Sequence, residues 1–256
     1  PCLITPDKKT VYLTRSNNIE ANDDVLYLSL YSVATGMLDE KDSIIPLSVN
    51  NDHYSVMHPT ISNDGKKIFF SSNMPGGYGG LDLYYCEIFG VEEKKTNGNL
   101  GKVNKLSDPI NLGNKINTEG NEVFPYSMND NILFYSSDGR IGLGGLDIFM
   151  VYNYLDSTLL KIDNIGKPFN SPKDDFSFFI SKDIKFGFIS SNRPGGKGDD
   201  DIYCFKLNTS ISEGTDDYYT MIKGETLEVI SNSVLNNDFL NDTAQNFLNQ
   251  NVFHKA

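Results

Sequence analysis

The stretch Ser72–Tyr85, SNMPGGYGGLDLYY, is the clearest indication of the fold because the chain repeats it. It occurs again as Ser137–Met150, SDGRIGLGGLDIFM, and as Ser191–Phe205, SNRPGGKGDDDIYCF. A more divergent fourth copy, TPDKKTVYLTRSNN, lies at Thr5–Asn18. A strand-and-turn unit repeated on this scale indicates a repeat architecture.

The length of the unit indicates what it builds. An aspartate before the first strand of each unit recurs every 53 to 66 residues, as Asp7, Asp64, Asp130 and Asp183. Such a unit holds about four short strands, which make one propeller blade. Helical solenoids are disfavoured because the aromatic and β-branched residues cluster in short runs between Gly, Pro, Asn and Asp. We therefore predict an all-β fold, a β-propeller of at least four four-stranded blades, over residues 1–207.

Residues 208–256 lack the repeat and form a predicted irregular C-terminal tail. Its polar, Asn-rich sequence leaves three readings open: a closing strand, a linker, or the start of a following β domain. We expect the chain to be part of a longer protein.

The strand before each glycine segment is apolar without clean alternation, as in residues 67–71 (KIFFS), 132–136 (ILFYS) and 186–190 (FGFIS). In a strand with one solvent-exposed face, apolar and polar residues would alternate. We therefore predict strands that are buried on both faces.

The glycine segments are predicted hairpin loops that need positive φ or close backbone approach. The aspartate after each loop can accept hydrogen bonds from loop N–H groups and hold the turn. The predicted structural turn residues are Asp64, Gly65, Gly76, Gly77, Gly79, Gly80, Asp82, Gly144, Gly145, Asp147, Gly195, Gly196 and Asp201.

The connectors between units repeat as well. Residues 113–124 read GNKINTEGNEVF, and residues 166–176 read GKPFNSPKDDF. An acid follows the asparagine by five residues in both, which pairs Asn117 with Glu122 and Asn170 with Asp175. The repeat is therefore a whole blade.

Composition narrows the classes of partner. The chain of 256 residues has a formal net charge of −12, which disfavours nucleic acid and anionic membranes. No apolar stretch approaches the roughly 20 residues of a membrane helix, so no direct membrane insertion is expected. Cys2, Cys86 and Cys204 lack CxxC spacing, and we predict that Cys86 and Cys204 are buried thiols without a disulfide.

An enzyme is disfavoured. The chain has no G-x-S-x-G nucleophile elbow, and its three histidines are His53, His58 and His254. Acids such as Asp174 and Asp175 could serve glycoside cleavage, but acids in repeated loops are more often structural. No catalytic residue and no organic cofactor is predicted. A weak calcium site could involve Asp199, Asp200 and Asp201 beside a glycine loop.

A binding module fits better, because function in such folds is carried by loops on a rigid scaffold. The loops differ between copies at a few positions, and Tyr and Arg are favoured interface anchors. The candidate interaction residues are Tyr78, Arg140, Ile141, Arg193 and Lys197.

These motifs together resemble a known family. SNMPGGYGGLDLYY, NLGNKINTEGNEVFP and residues 174–203 (DDFSFFISKDIKFGFISSNRPGGKGDDDIY) are similar to the WD-like, TolB-type propeller segment of Bacteroidetes OmpA-family envelope proteins. That family includes the peptidoglycan-anchoring component of the type IX secretion system, which is linked to gliding motility. The resemblance covers about Pro1–Phe205.

The resemblance implies a periplasmic, outer-membrane-associated scaffold that binds envelope or outer-membrane proteins. Peptidoglycan would be reached only through an OmpA-like domain, which these residues do not contain. The family has one more blade before the first one seen here, and the tail does not show the regulatory-like domain of the family. The alternative function is a carbohydrate-binding or glycan-processing envelope propeller.

Overall fold

The computed structural model describes residues 2–5, 10–16, 26–32, 44–96, 99–156, 158–208, 219–220 and 227–230. These residues contain eighteen β-strands and no helix, hence no helix that could cross a membrane. The chain divides into two compact units, Pro1–Asp130 and 131–256, which are described separately. Asp7 and His254 lie outside the described residues.

The first unit begins with an antiparallel sheet of β1 (Cys2–Ile4), β2 (Thr10–Ser16), β3 (Leu26–Ser32) and β4 (Ile44–Pro46), in that order. The second sheet contains β5 (Val56–Ile61), β6 (Lys67–Ser72) and β7 (Asp82–Thr96). Both β8 (Asn99–Leu106) and β9 (Ile110–Asn111) pair with β7. The strand β10 (Glu122–Ser127) packs against β5, β6 and β7.

The second unit contains the antiparallel strands β11 (Ile132–Ser137), β12 (Asp147–Tyr152) and β13 (Lys161–Asn164). Its last sheet contains β14 (Asp175–Ile180), β15 (Phe186–Ser191) and β16 (Asp201–Asn208). Two short strands of the tail join this sheet, because β18 (Leu227–Ile230) pairs parallel to β16 and antiparallel to β17 (Tyr219–Thr220).

Each repeat forms the same hairpin. Nine residues join the two central strands in all four copies: 17–25, 73–81, 138–146 and 192–200. In the last three copies a serine pairs with the turn aspartate, as in Ser72 with Asp82. The described residues are thus all-β and form four blade-type sheets, antiparallel apart from the β16–β18 pair, which confirms the predicted propeller class.

Burial on both faces holds for two of the three predicted strands. Every residue of β11 is buried, and so is all of β6 except Lys67. In contrast, β15 alternates, with Phe186 and Phe188 exposed and Gly187, Ile189 and Ser191 buried. The prediction is wrong for β15, because only one face of its sheet is covered.

Aromatic packing dominates both cores. In the first unit, Tyr12 and Val56 pack with Ile68, Phe70 and Tyr84. Full burial of a Phe-sized side chain stabilises the fold by about 1.5–3 kcal/mol, so these clusters hold the sheets together.

The core of the second unit is a chain of phenylalanine rings. Phe178 stacks on Phe134 at 4.4 Å and on Phe205 at 5.6 Å between ring centroids. Phe169 meets Phe205 edge-on at 5.0 Å, a favoured geometry for aromatic pairs.

The described cysteines form no disulfide. Cys86 is a buried free thiol whose pKa is raised by burial to about 12, and Cys204 is a half-buried free thiol. The side chain of Cys2 lies outside the described residues. The prediction of a buried thiol is confirmed for Cys86, whereas Cys204 is only half-buried because it lies on the exposed face of the last sheet.

Candidate interaction surface

A carboxylate holds each glycine loop from the start of the following strand. Asp82 accepts the N–H groups of Tyr78 (2.7 Å) and Gly79 (3.1 Å), which lie four and three residues before it. Asp147 accepts the equivalent groups of Leu143 (2.5 Å) and Gly144 (3.2 Å). Hydrogen bonds to an ionised acceptor are the strong ones, so the loop backbone is rigidly held.

The third copy repeats the arrangement. Asp201 accepts the N–H groups of Lys197 at 2.6 Å and Gly198 at 3.2 Å. The glycine five residues before the aspartate must lack a side chain, because a methyl group on Gly196 would overlap the Asp201 carboxylate. Gly77 lies in the same place, where a methyl group would be 2.6 Å from the Asp82 carboxylate.

Positive φ accounts for three further turn glycines. The φ angles are 72° at Gly65, 93° at Gly76 and 104° at Gly195, a region that side chains disfavour. Beside Gly65, Asp64 accepts the Ser62 hydroxyl (2.6 Å) and the Lys66 N–H (2.9 Å). The Ser62 hydrogen bond is the main cause that lowers the pKa of Asp64.

Three buried serines hold the beginning of each loop, and the sequence analysis missed them. The hydroxyl of Ser72 accepts the N–H of Met74 at 3.1 Å. Ser137 and Ser191 do the same for the residues two positions after them, at 3.1 Å and 3.2 Å. The sequence does contain a signal for them, because a Ser-Ser pair follows the apolar strand in all three copies and these serines are the second of each pair.

The side-chain amides of the connector asparagines pair with the backbone of a strand residue, as a neighbouring strand would. Asn117 accepts the Leu83 N–H at 2.8 Å and donates to the Leu83 carbonyl at 3.0 Å. Asn170 makes both contacts with Ile148 at 2.8 Å. These bonds satisfy the backbone of the residue just before β9 begins to pair with β7 and β13 with β12.

Each connector also clamps the tip of the preceding loop. Leu81 donates to the Asn121 side chain at 3.1 Å, and its carbonyl accepts the Glu122 N–H at 2.6 Å. Leu146 repeats both contacts with Asp174 (2.9 Å) and Asp175 (2.6 Å). The predicted glycines Gly79, Gly80, Gly144 and Gly145 lie under these connectors, where a methyl group on any of them would collide with connector atoms.

The rigid loops expose different side chains. Tyr78 is half-exposed, Ile141 is almost fully exposed, and Leu143 and Lys197 are also exposed. Arg140 is partly buried, with its guanidinium 5.9 Å from the Phe149 ring centroid. The predicted interaction residues Tyr78, Ile141 and Lys197 are therefore accessible to a partner.

Arg193 departs from its predicted place in an interface. Its guanidinium is largely buried, forms an ion pair with Asp175, and donates to the Phe169 carbonyl at 2.6 Å. It also lies 5.1 Å from the Tyr203 ring centroid. This guanidinium is engaged inside the second unit, because the buried Asp175 needs a cation.

A second exposed apolar feature is the ribbon formed by β7 and β8. The ladder runs from Ile88 opposite Leu106 to Thr96 opposite Asn99, with an irregularity between Ile88 and Gly90. Phe89 and Val91 are exposed on it, and the Lys105 ammonium lies 5.4 Å from the Phe89 ring centroid. The sequence analysis did not predict this extension, which β12 lacks and which β16 lacks as far as the structure describes it, to Asn208.

The predicted calcium ligands do not converge. Asp201 already holds loop N–H groups, and Asp199 and Asp200 are exposed. Among the described residues, no group of three or more His, Cys, Asp or Glu side chains could hold a metal ion.

The described histidines have structural contacts. The His58 ring stacks on Phe124 at 3.8 Å, its Nδ1 accepts the Phe124 N–H at 3.4 Å, and its own N–H donates to Thr14. Burial lowers the pKa of His58 to about 3, so the ring is neutral at physiological pH. His53 donates its backbone N–H to Asn51. In a catalytic triad the histidine Nδ1–H donates to a carboxylate that orients the ring. His58 is poorly placed for this role, because its Nδ1 accepts a backbone N–H instead.

Comparisons with known proteins are limited to distant structures. No protein-family model and no curated protein matches the chain. Among solved structures, it is similar to TolB from Acinetobacter baumannii, at 15% identity over 86% of this chain and 49% of that one, with a TM-score of 0.43.

Two peptidases have a similarly low sequence identity and a similar TM-score. The tricorn protease matches 80% of this chain and 20% of its own at 9% identity and a TM-score of 0.45. A Mycobacterium tuberculosis puromycin-hydrolyzing peptidase matches 80% of this chain and 29% of its own at 12% identity and a TM-score of 0.44. This chain spans a half or less of these proteins, and no activity or partner follows from such likenesses.

Proposed function

We propose that the chain is a non-catalytic protein-interaction scaffold in the periplasm, within an outer-membrane-associated complex of the type IX secretion or gliding type. One observation carries the binding role. The same carboxylate-held loop is built three times, yet the residue four positions before the aspartate is Tyr78, Leu143 or Lys197. The backbone is uniform where it must be rigid, and the side chains differ where they face outward.

Rigid loops suit recognition for an energetic reason. Ordering a flexible loop on binding costs roughly 0.5–1.5 kcal/mol for each immobilised side chain, and backbone ordering adds to this. Loops already held by hydrogen bonds at both ends avoid most of the backbone cost. The exposed Ile141 and Leu143 then supply apolar contact area in one loop.

The location in the envelope rests on the resemblance of the glycine-loop and connector motifs to the Bacteroidetes envelope family. The net charge of −12 agrees with a protein partner and disfavours nucleic acid. An enzyme of the hydrolase type would need a histidine placed as a general base. The described histidines, His53 and His58, instead make the structural contacts given above.

The test is affinity purification of the tagged protein from gently solubilised envelopes, with mass spectrometry. A loop variant combines Tyr78→Ser, Ile141→Ser and Leu143→Ser. A matched control carries Leu155→Ser and Leu159→Ser, which change exposed apolar residues outside the glycine loops.

We expect secretion or motility proteins of the outer membrane to co-purify with the parent and the control and to be lost with the loop variant. Retention of the same partners by the loop variant would refute the role of the loops. If the tagged protein recovers no specific protein partner and instead binds to a glycan array, the carbohydrate-binding alternative would replace the scaffold proposal.

A further inference from the structure

One side chain holds two glycine loops of the second unit. Asp174, in the connector before β14, accepts the Leu146 N–H on Oδ1 at 2.9 Å. Leu146 is the last residue of the loop 138–146. Asp174 Oδ2 accepts the side-chain amide of Asn192, the first residue of the loop 192–200, at 2.8 Å. A single carboxylate therefore bridges the two loops.

The backbone strengthens the contact with the second loop. The Asp174 N–H donates to Asn192 Oδ1 at 2.8 Å, and the Asn192 N–H donates to the Asp174 carbonyl at 3.2 Å. The next residue, Arg193, is tied to the same connector by its bond to the Phe169 carbonyl at 2.6 Å. The start of the loop 192–200 therefore moves with the connector and with Asp174.

The first loop lies equally close to Asp174. The Asp175 N–H donates to the Leu146 carbonyl at 2.6 Å. A methyl group on Gly145 would collide with Asp174 Oδ1, so this oxygen lies against the loop backbone. Both oxygens of Asp174 are thus engaged, one by each loop, and a rotation of the carboxylate that follows one loop breaks the bond to the other.

The sequence of the preceding repeat agrees with a paired role for these two positions. Asp174 directly precedes β14, and Asn192 directly follows β15. At the equivalent positions, Asn121 directly precedes β10 and Asp138 directly follows β11. The acid and the amide have exchanged places, so each pair of positions again contains one acid and one amide.

We infer that Asp174 is a positioning residue that couples the loops 138–146 and 192–200 into one binding surface. The exposed Ile141 and Leu143 of one loop and Lys197 of the other then belong to the same surface. A partner that orders one loop also orders the second, which lowers the entropic cost of contacting both. This inference deepens the proposed scaffold function, and only what the surface binds rests on that function.

The test needs no partner and uses the complete chain. Amide hydrogen exchange followed by NMR reports on the Leu146 N–H, and the side-chain amide signals of Asn192 report on the second loop. Asn192→Ala perturbs the second loop and leaves both atoms of the Leu146–Asp174 bond in place. We expect Leu146 to exchange about fivefold faster or more in this variant, because members of one hydrogen-bond network are energetically coupled.

The reverse perturbation and a control complete this comparison. Gly145→Ala displaces the Asp174 carboxylate from the side of the first loop, so the Asn192 side-chain signals should shift and lose their protection from exchange. Asp200→Ala changes an exposed acid in the second loop and should leave the exchange of Leu146 as in the parent.

A swap of the two side chains separates coupling from a general loss of packing. Asp174→Asn offers one acceptor oxygen where two donors converge, and Asn192→Asp sets two carboxylates against each other. Each single variant should speed the exchange of Leu146 about fivefold or more. The double variant restores an acceptor for every donor, as the order of Asn121 and Asp138 does, and should return the rate to within about twofold of the parent.

Three results would overturn the inference. The first is parent-like exchange of Leu146 in Asn192→Ala. The second is a double variant that exchanges as fast as the single variants. The third is faster exchange throughout the second unit with a lower melting temperature in Asn192→Ala, which would show general loosening instead of coupling between two loops. Because no envelope partner is used, this test and that of the proposed function can fail separately.

Discussion

Alanine at the same loop position should destabilise the fold strongly in one copy of the repeat and hardly at all in another. Gly144 and Gly198 both lie three residues before a loop-holding aspartate and donate to it. A methyl group on Gly144 would lie 2.7 Å from the Ser171 carbonyl oxygen and 2.7 Å from the Lys173 nitrogen. On Gly198 the nearest atom would be 3.5 Å away, an ordinary contact.

The expected magnitude follows from the connector that must move in Gly144→Ala. Its displacement breaks the bonds of Leu146 to Asp174 (2.9 Å) and Asp175 (2.6 Å). One of them involves a charged acceptor, so the combined loss is about 2–4 kcal/mol. For a chain of this size this corresponds to a fall in melting temperature of roughly 5–15 °C. Gly198→Ala should change the stability by less than about 0.5 kcal/mol.

Urea unfolding of the parent and both variants, followed by circular dichroism and tyrosine fluorescence, measures the two free energies. The melting temperatures give an independent check on the same samples. Equal destabilisation by the two substitutions would refute the reasoning, because it would show that the loop conformation alone, and not the connector clamp, requires glycine. A small effect of Gly144→Ala would refute it as well.

Other substitutions should separate structural from surface residues. Asp82→Asn should cost more than Asp147→Asn in urea unfolding, because both Asp82 oxygens accept hydrogen bonds whereas Asp147 Oδ1 has no partner among the described residues. Burial raises the pKa of Asp147 above its ordinary 3.8, so the ionised group disfavours folding; this cost should be relieved as the pH falls through the raised pKa toward 3.8, and Asp147→Asn should remove that slope. Arg193→Met should destabilise the fold by about 3–5 kcal/mol because it leaves a buried carboxylate unpaired, whereas Lys197→Met should be nearly neutral. In native protein at pH 8 the Cys86 thiol should resist alkylation, and mass spectrometry should find it modified only after unfolding.

The hairpins could be predicted because their information is local. Ser72 and Asp82 bracket a nine-residue loop, and the aspartate reaches N–H groups only three and four residues away. The chemistry of such a turn is contained in one short stretch, and its recurrence in further copies multiplied the signal. The paired connector residues Asn117 and Asn170 were visible for the same reason.

The interaction residues were harder to predict, because exposure depends on partners distant in the chain. Arg193 occupies a variable loop position, yet its guanidinium pairs with Asp175, eighteen residues earlier. Nothing local distinguishes it from Lys197, which is exposed. The ribbon that carries Phe89 was missed because the far part of β7, residues 92–96 (EEKKT), is charged and lacks the aromatic and β-branched run of the other repeat strands.

The repeat, the strand and turn order, and the class of fold could be predicted from the sequence, since strand periodicity and turn chemistry operate over a few residues. Which repeated positions are core and which are surface depends on how the sheets pack. Phe69 and Phe188 occupy the same place in equivalent strands, but one is buried and the other exposed. The difference lies in β10, which packs against the sheet that carries Phe69, and burial is a property of neighbours that a residue's own sequence context does not contain.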